Sequence, residues 1–157
     1  MATIEFTSHP LEFKKPARTS RDTLKSKPSF FLSIEDDVGR KGTGECSLIP
    51  GLSLASEKDA REALEQLTKL NTLHPESIPH SLPAVKFAVE TALIDFNREG
   101  NPTWIEGIPV NGLVWMDDAE GMLKQVDVLI ENGYKTIKIK VGTLPFYEEL
   151  ELLEEIR

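Results

Sequence analysis

Lys138 and Lys140 are the residues whose type and spacing most readily suggest chemistry. They lie in the run Gly133-Tyr134-Lys135-Thr136-Ile137-Lys138-Ile139-Lys140-Val141-Gly142. Its β-branched Thr136, Ile137, Ile139 and Val141, with glycine at each end, predict a strand. Side chains alternate across a strand, so Ile137, Ile139 and Val141 are expected on one face and the two lysines on the other. Two ammonium groups so placed repel each other, and repulsion and desolvation both favour the neutral form of a lysine. A lysine brought towards neutrality can act as a general base near pH 7. A solvated strand accommodates the same pattern, because lysines discourage edge pairing. The pair alone does not choose between these two readings.

The elements around the lysine run bear on that choice. Ile108 to Met116 reads as a strand. Asp117 to Asn132 reads as a helix with Met122, Val126, Leu129 and Ile130 inward, and Phe146 to Arg157 as a second helix. Strand, helix, strand, helix in that order predicts a parallel right-handed unit with helices on the Ile/Val face. In a closed (β/α) barrel the other face points inward, and residues near the C-terminal ends of the strands reach the active-site mouth.

The first hundred residues follow another pattern. Residues 3–13 alternate loosely and break near Pro10, residues 29–35 form a second strand, and residues 42–47 a third, glycine-softened one after the turn at Asp36-Asp37-Val38-Gly39. Three strands with short connections predict an antiparallel meander. A helix is predicted over 57–70, with Ser56 as its N-cap, Asp59 completing a capping box, and Ala60, Leu64, Leu67 and Leu70 as its apolar stripe. A second helix is predicted from Pro83, with Ser81 as a possible cap and Gly100 at its end. Its apolar face is Val85, Ala88, Val89, Ala92, Leu93 and Phe96, with Glu90 and Asp95 towards the polar side. The expected fold class is therefore an α+β domain, a three-stranded antiparallel meander plus helices, over residues 1–100. The start of a (β/α) TIM-type barrel follows over residues 101–157, with the boundary at Gly100-Asn101-Pro102.

Composition narrows the partners. The chain has 157 residues, a net charge of −8, 39% hydrophobic residues and 28% charged ones, which is the balance of a globular domain rather than a nucleic-acid-binding surface. Positive charge is concentrated between Lys14 and Lys27, which hold six of the 18 cations and one acid. That stretch is expected to be a mobile loop, either simply solvated or closing over an anionic small molecule with Ser20 or Arg21 as donors. Ser47 to Ser53 form a second loop, too apolar to stand free in water, expected to line a pocket wall or to cover a core. His9, His74 and His80 show no metal-ligand spacing, so no metal site is expected from them. The single cysteine, Cys46, fits a reducing compartment. With neither a signal pattern nor a membrane-length apolar run, the expected location is the cytoplasm, with no membrane partner.

Four segments in this order carry a resemblance. They are Pro16-Ala17-Arg18-Thr19-Ser20-Arg21, Gly44 to Ser53, Pro109-Val110-Asn111-Gly112-Leu113-Val114-Trp115-Met116, and Lys135 to Gly142, joined through the helix Phe87-Ala88-Val89-Glu90-Thr91-Ala92-Leu93-Ile94-Asp95. Together they resemble the enolase superfamily and, within it, the muconate-lactonizing subgroup, over essentially the whole chain.

The resemblance implies an Mg²⁺-dependent syn dehydration of a cyclohexadiene carboxylate bearing a succinyl arm, a step of menaquinone biosynthesis. It implies Lys140 as the base and acid, and Lys138 as the neighbour that tunes it. Ser20, Arg21, Ile49, Pro50, Leu52 and Asn111 would contact the substrate, a small anionic dicarboxylate. Asp22 stands where the family often has glycine. The family's metal ligands lie on the third to fifth barrel strands and a second lysine on the sixth, all beyond Arg157. The chain is therefore expected to be the N-terminal part of a longer enzyme, inactive and without active-site Mg²⁺ on its own. Oligomeric state is left open. An N-succinylamino-acid racemase or dipeptide epimerase shares these features. A non-catalytic module whose basic loop binds an anion is the alternative of another class.

Overall fold

Phe30, Leu32 and Ile34 alternate with Phe31, Ser33 and Glu35, and that period of two builds the middle strand of a three-stranded antiparallel sheet. The computed structural model describes residues 2–18, 23–99, 107–142 and 144–157, with backbone only at Arg18. The chain divides into two units, Met1–Pro16 with Leu24–Asn101, and Ala17–Thr23 with Pro102–Arg157. In chain order the elements up to residue 99 are β1 (Thr3–Ser8), β2 (Leu11–Arg18), β3 (Thr23–Lys27), β4 (Ser29–Glu35), β5 (Lys41–Ser47), α1 (Glu57–Leu70) and α2 (Pro83–Phe96), with a 3₁₀ turn at Pro75–Ser77. The fold class is the expected one.

The sheet order is β1-β4-β5, both pairs antiparallel. The register sets Ile4 opposite Ile34, and Phe30, Leu32 and Ile34 opposite Cys46, Gly44 and Gly42. The even-numbered residues therefore share one face, and α1 and α2 cover it with Ala60, Leu64, Val85, Ala88, Val89 and Ala92, all fully buried. Helix α2 lies directly on β5. A Cβ added at Gly44 would sit 1.9 Å from the Ala88 carbonyl oxygen, and one at Gly42 would sit 2.3 Å from that of Ala92. Only glycine permits this approach.

Side chains from the two helices finish the outer strands. Asn71, the left-handed C-cap of α1 at φ 50°, accepts from the Ile4 N–H at 3.1 Å and donates to the Ala2 carbonyl at 2.8 Å. Asp95 of α2, read from the sequence as a polar-face residue, accepts from the Thr43 N–H of β5 at 2.9 Å. The Asn71→Ala variant loses both bonds and must hold alanine in a left-handed conformation. It is expected to be less stable by about 2–4 kcal/mol in a urea titration, whereas Asn71→Gly, free of the conformational strain, should lose less.

Several expectations change. Most of the 14–27 segment is not a loop: β2 and β3 pair in a separate two-stranded sheet. Residues 12–16 and most of β3 are exposed, so the strands carry no apolar alternation to signal them. Helix α1 has the Ser56–Asp59 capping box, but Leu70 is 71% exposed and leaves the predicted stripe. Helix α2 begins at Pro83 with Leu82, not Ser81, as N-cap. It ends at Phe96, where Asn97 donates from its backbone and side-chain nitrogens to the Leu93 carbonyl. The expected terminator and boundary at residues 100–102 lie outside the described residues.

The second unit holds β6 (Gly112–Val114), α3 (Ala119–Glu131), β7 (Ile137–Ile139) and α4 (Phe146–Ile156). Strands β6 and β7 are parallel, as the connecting helix requires, with Leu113 opposite Lys138 and Val114 opposite Ile139. Asp118 caps α3 by accepting from the Gly121 N–H at 2.8 Å. Val114, Met122, Val126 and Leu152 are buried, with Leu129, Ile137 and Ile139 packed on them. Ile130 and Val141, both expected inward, are 58% and 59% exposed. Ile130 sits on the outer face of α3, and Val141 lies past the end of the β7 ladder. Both strands are shorter than their apolar runs suggested. Among the described residues no helix is long and apolar enough to cross a membrane.

Candidate active site

Ile137 and Ile139 pack towards the helices, so alternation places Lys138 and Lys140 on the opposite face of β7. Lys138 is exposed and Lys140 half-buried. Lys140 stands just beyond the C-terminal end of the strand, the end at which functional groups gather in parallel α/β sheets. There its Nζ lies 4.0 Å from the centroid of the Trp115 ring.

Trp115 was not singled out by sequence reasoning. It is half-buried and follows the last ladder residue of β6. Parallel strands set same-parity residues side by side, and continuing the Leu113–Lys138 register by two residues brings Trp115 beside Lys140. Gln125 of α3 holds the tryptophan backbone from both sides. Its Oε1 accepts from the Trp115 N–H at 2.8 Å, and its Nε2 donates to the Trp115 carbonyl at 3.1 Å. The usable signal was the register itself, since Trp115 lies two residues from Leu113 as Lys140 does from Lys138.

Asn111 is exposed and precedes β6, at the opposite end of the short ladder from Lys140; the next residue, Gly112, donates to the Thr136 carbonyl at 2.9 Å. The geometry thus brings Lys140 and Trp115 together and leaves Asn111 apart from them. Ser20 and Arg21 lie outside the described residues.

Ile49, Pro50 and Leu52 belong to the loop that follows β5. The N–H groups of Leu52 and Ser53 donate to the Ile49 carbonyl at 3.0 and 2.9 Å, and Ser53 Oγ accepts from the Ile49 N–H at 2.8 Å. Pro50 and Gly51, the latter at φ +75°, occupy the two central positions of a tight turn that suits them. Leu48 is buried, but Ile49 and Leu52 are 40% and 50% exposed. The loop therefore leaves these two side chains free rather than closing them over a core.

A polar group at the root of this loop also escaped the sequence reading. Ser29, fully buried, donates to Glu45 Oε1 at 2.7 Å, and Lys27 Nζ lies 3.4 Å from the same oxygen while donating to Ser47 Oγ. The Ser29 hydroxyl, chiefly, and the Lys27 charge hold the Glu45 carboxyl below its usual range against the opposing effect of burial. Next to it, burial above all pushes the Cys46 thiol up to about 11, so this cysteine is a core residue rather than a nucleophile.

A hollow of about 410 Å³ on the first unit is lined by Thr3, Glu5, Ser33, Glu35, Asp36 and Asp37. It contains none of the predicted site residues, and its carboxylates do not suit an anion. Among the described residues no group of three or more His, Cys, Asp or Glu could hold a metal ion.

Comparison with known proteins adds relatives. No family model matches the chain. It is 32% identical to an o-succinylbenzoate synthase of Desulfotalea psychrophila, covering 98% of this chain and 53% of that protein. It is 27% identical to an L-Ala-D/L-Glu epimerase of Thermotoga maritima, over 92% of this chain and 47% of that one. The crystal structure of o-succinylbenzoate synthase from Thermosynechococcus elongatus BP-1, with Mg in its active site, superposes with a TM-score of 0.81 at 25% identity, over 98% of this chain and 47% of that one. The chain spans about half the length of the curated relatives it matches.

Proposed function

Because the chain is homologous to the N-terminal half of o-succinylbenzoate synthases and of related enolase-superfamily epimerases, we propose that it supplies that half of an o-succinylbenzoate synthase. The reaction is the syn dehydration of 2-succinyl-6-hydroxy-2,4-cyclohexadiene-1-carboxylate to o-succinylbenzoate in menaquinone biosynthesis. The observation that carries this reading is Lys140, set at the C-terminal end of β7 on the face away from the helices.

In this reading Lys140, as the free amine, takes the proton α to the ring carboxylate. The ammonium so formed gives a proton to the departing hydroxyl. One C–H and one C–O bond break, water leaves, and the ring becomes aromatic, so the lysine ends as it began. Lys138, one turn of the alternation away, adds positive charge on the same face. Ser20, Arg21, Ile49, Pro50, Leu52 and Asn111 are proposed as contacts of the small anionic dicarboxylate. Residues 1–100 as a capping domain and residues 101–157 as the first two β/α units belong to the same proposal, as does a cytoplasmic location.

The Thermosynechococcus enzyme holds Mg in its active site. The described residues here do not fit such a site, and no step above runs through a metal. We place the Mg²⁺ ligands in the part of the relatives that this chain does not span, and for that reason expect the 157-residue chain alone to be inactive.

The test is an assay of the full-length protein with Mg²⁺. Aromatic product is expected to form from the cyclohexadiene carboxylate much faster than L-Ala-L-Glu or an N-succinylamino acid is epimerised. The 27% identity to the Thermotoga epimerase keeps the epimerase as the second reading, and epimerisation outrunning dehydration would establish it. Absence of both activities leaves the anion-binding module.

A further inference from the structure

We infer that Trp115 is a positioning residue for Lys140, held in place for that purpose by Gln125; the inference rests on the reading of Lys140 as the base. A lysine side chain has four rotatable bonds, and a proton transfer needs its nitrogen held within hydrogen-bond reach of one substrate atom. Among the described residues Lys140 makes no hydrogen bond or ion pair that would fix it in this way. What confines it is the face of the Trp115 ring, 4.0 Å from Nζ: the ammonium makes a cation–π contact there, and the free amine keeps the van der Waals contact with the same ring face.

The ring in turn needs a fixed backbone. Trp115 lies one residue beyond the β6 ladder, where the chain is about to turn into α3. The Gln125 amide occupies both its N–H and its carbonyl, as a neighbouring strand would. The line of support runs from α3 through one amide and one indole to the ammonium. Both partners come from the same β/α unit that precedes the lysine strand. The contact also leaves Lys138 out: it is exposed, and its register partner is Leu113, not an aromatic residue. The asymmetry between two lysines on one face is therefore built into β6.

Two measurements test this. In the 157-residue chain, the Lys140 ε-methylene protons should resonate upfield of those of Lys138, because they lie over an indole ring, and Trp115→Leu should abolish the difference. In the full-length enzyme, Trp115→Leu should lower kcat about 10- to 100-fold with KM within a few fold, as expected for a misplaced reacting group. Trp115→Phe, which restores an aromatic face, should recover much of the loss, and Gln125→Leu should fall between the two. Equal shifts for the two lysines, or Trp115→Leu with wild-type kcat, would overturn the inference. So would a phenylalanine variant no better than leucine. A ring-shifted Lys140 in a protein with neither activity would leave the clamp standing and remove the catalytic reading instead.

Discussion

In the full-length protein Lys140→Ala should lower kcat for dehydration by about 10²- to 10⁴-fold, the range over which a positioned general base contributes. KM should stay within a few fold, because on the proposed reading the variant removes the proton acceptor and leaves the proposed substrate contacts on other elements. Lys140→Arg should be similarly inactive despite its charge, since a guanidinium does not give up its proton near neutral pH. The melting temperature is the control. Lys140 is half-buried at the end of a three-residue strand, and its only described partner is one indole face, so neither variant should melt more than a few degrees early. Wild-type turnover in Lys140→Ala would show that another group takes the proton.

The largest expected effect on stability lies in β5. At Gly44 an added Cβ meets the Ala88 carbonyl oxygen at 1.9 Å and the Thr91 hydroxyl at 2.6 Å; the first is backbone and cannot rotate away. Helix α2 would have to lift from the sheet, and with it Val85, Ala88, Val89 and Ala92, all fully buried. Gly44→Ala is expected to lose about 3 kcal/mol, and Gly44→Val about 4 kcal/mol or more, enough to unfold many domains of this size. A comparison with Gly51→Ala separates two causes. At Gly51 nothing lies within 4 Å, and only φ +75° opposes a side chain, so the loss there should be nearer 1–2 kcal/mol. A urea midpoint for Gly44→Val equal to that of the wild type would mean that helix and strand are not in contact.

What could be read from the sequence, and what could not, follows from where each signal resides. The Ser56–Asp59 box is local, complete within four residues, and α1 has it. The strand at Ile137–Ile139 was legible because burial on one face enforces alternation. Strand β3 and the part of β2 past Phe13 were not, because their pairing is through the main chain and leaves no apolar pattern, and their lysines read as loop. The α2 terminus was misplaced because Asn97 closes the helix with its own side chain, ahead of the glycine that seemed the natural stop. Trp115 passed as one more apolar strand residue, since its importance comes from the parallel register, which joins residues 25 apart in sequence. Glu45 and Ser29 were likewise unremarkable until β4 and β5 were set side by side.

Asn71 and Asp95 have a consequence beyond the strands they touch. A sheet of three strands has two open sides, and each is a template on which another chain can add itself. Here an amide occupies one donor and one acceptor on the outer side of the first strand, and a carboxylate occupies a donor on the outer side of the last. A second molecule would have to displace an intramolecular partner before docking, and on one side it would meet negative charge. Among the described residues, Asn71 and Asp95 are therefore helix-borne polar groups that oppose strand addition at the two sides of the sheet.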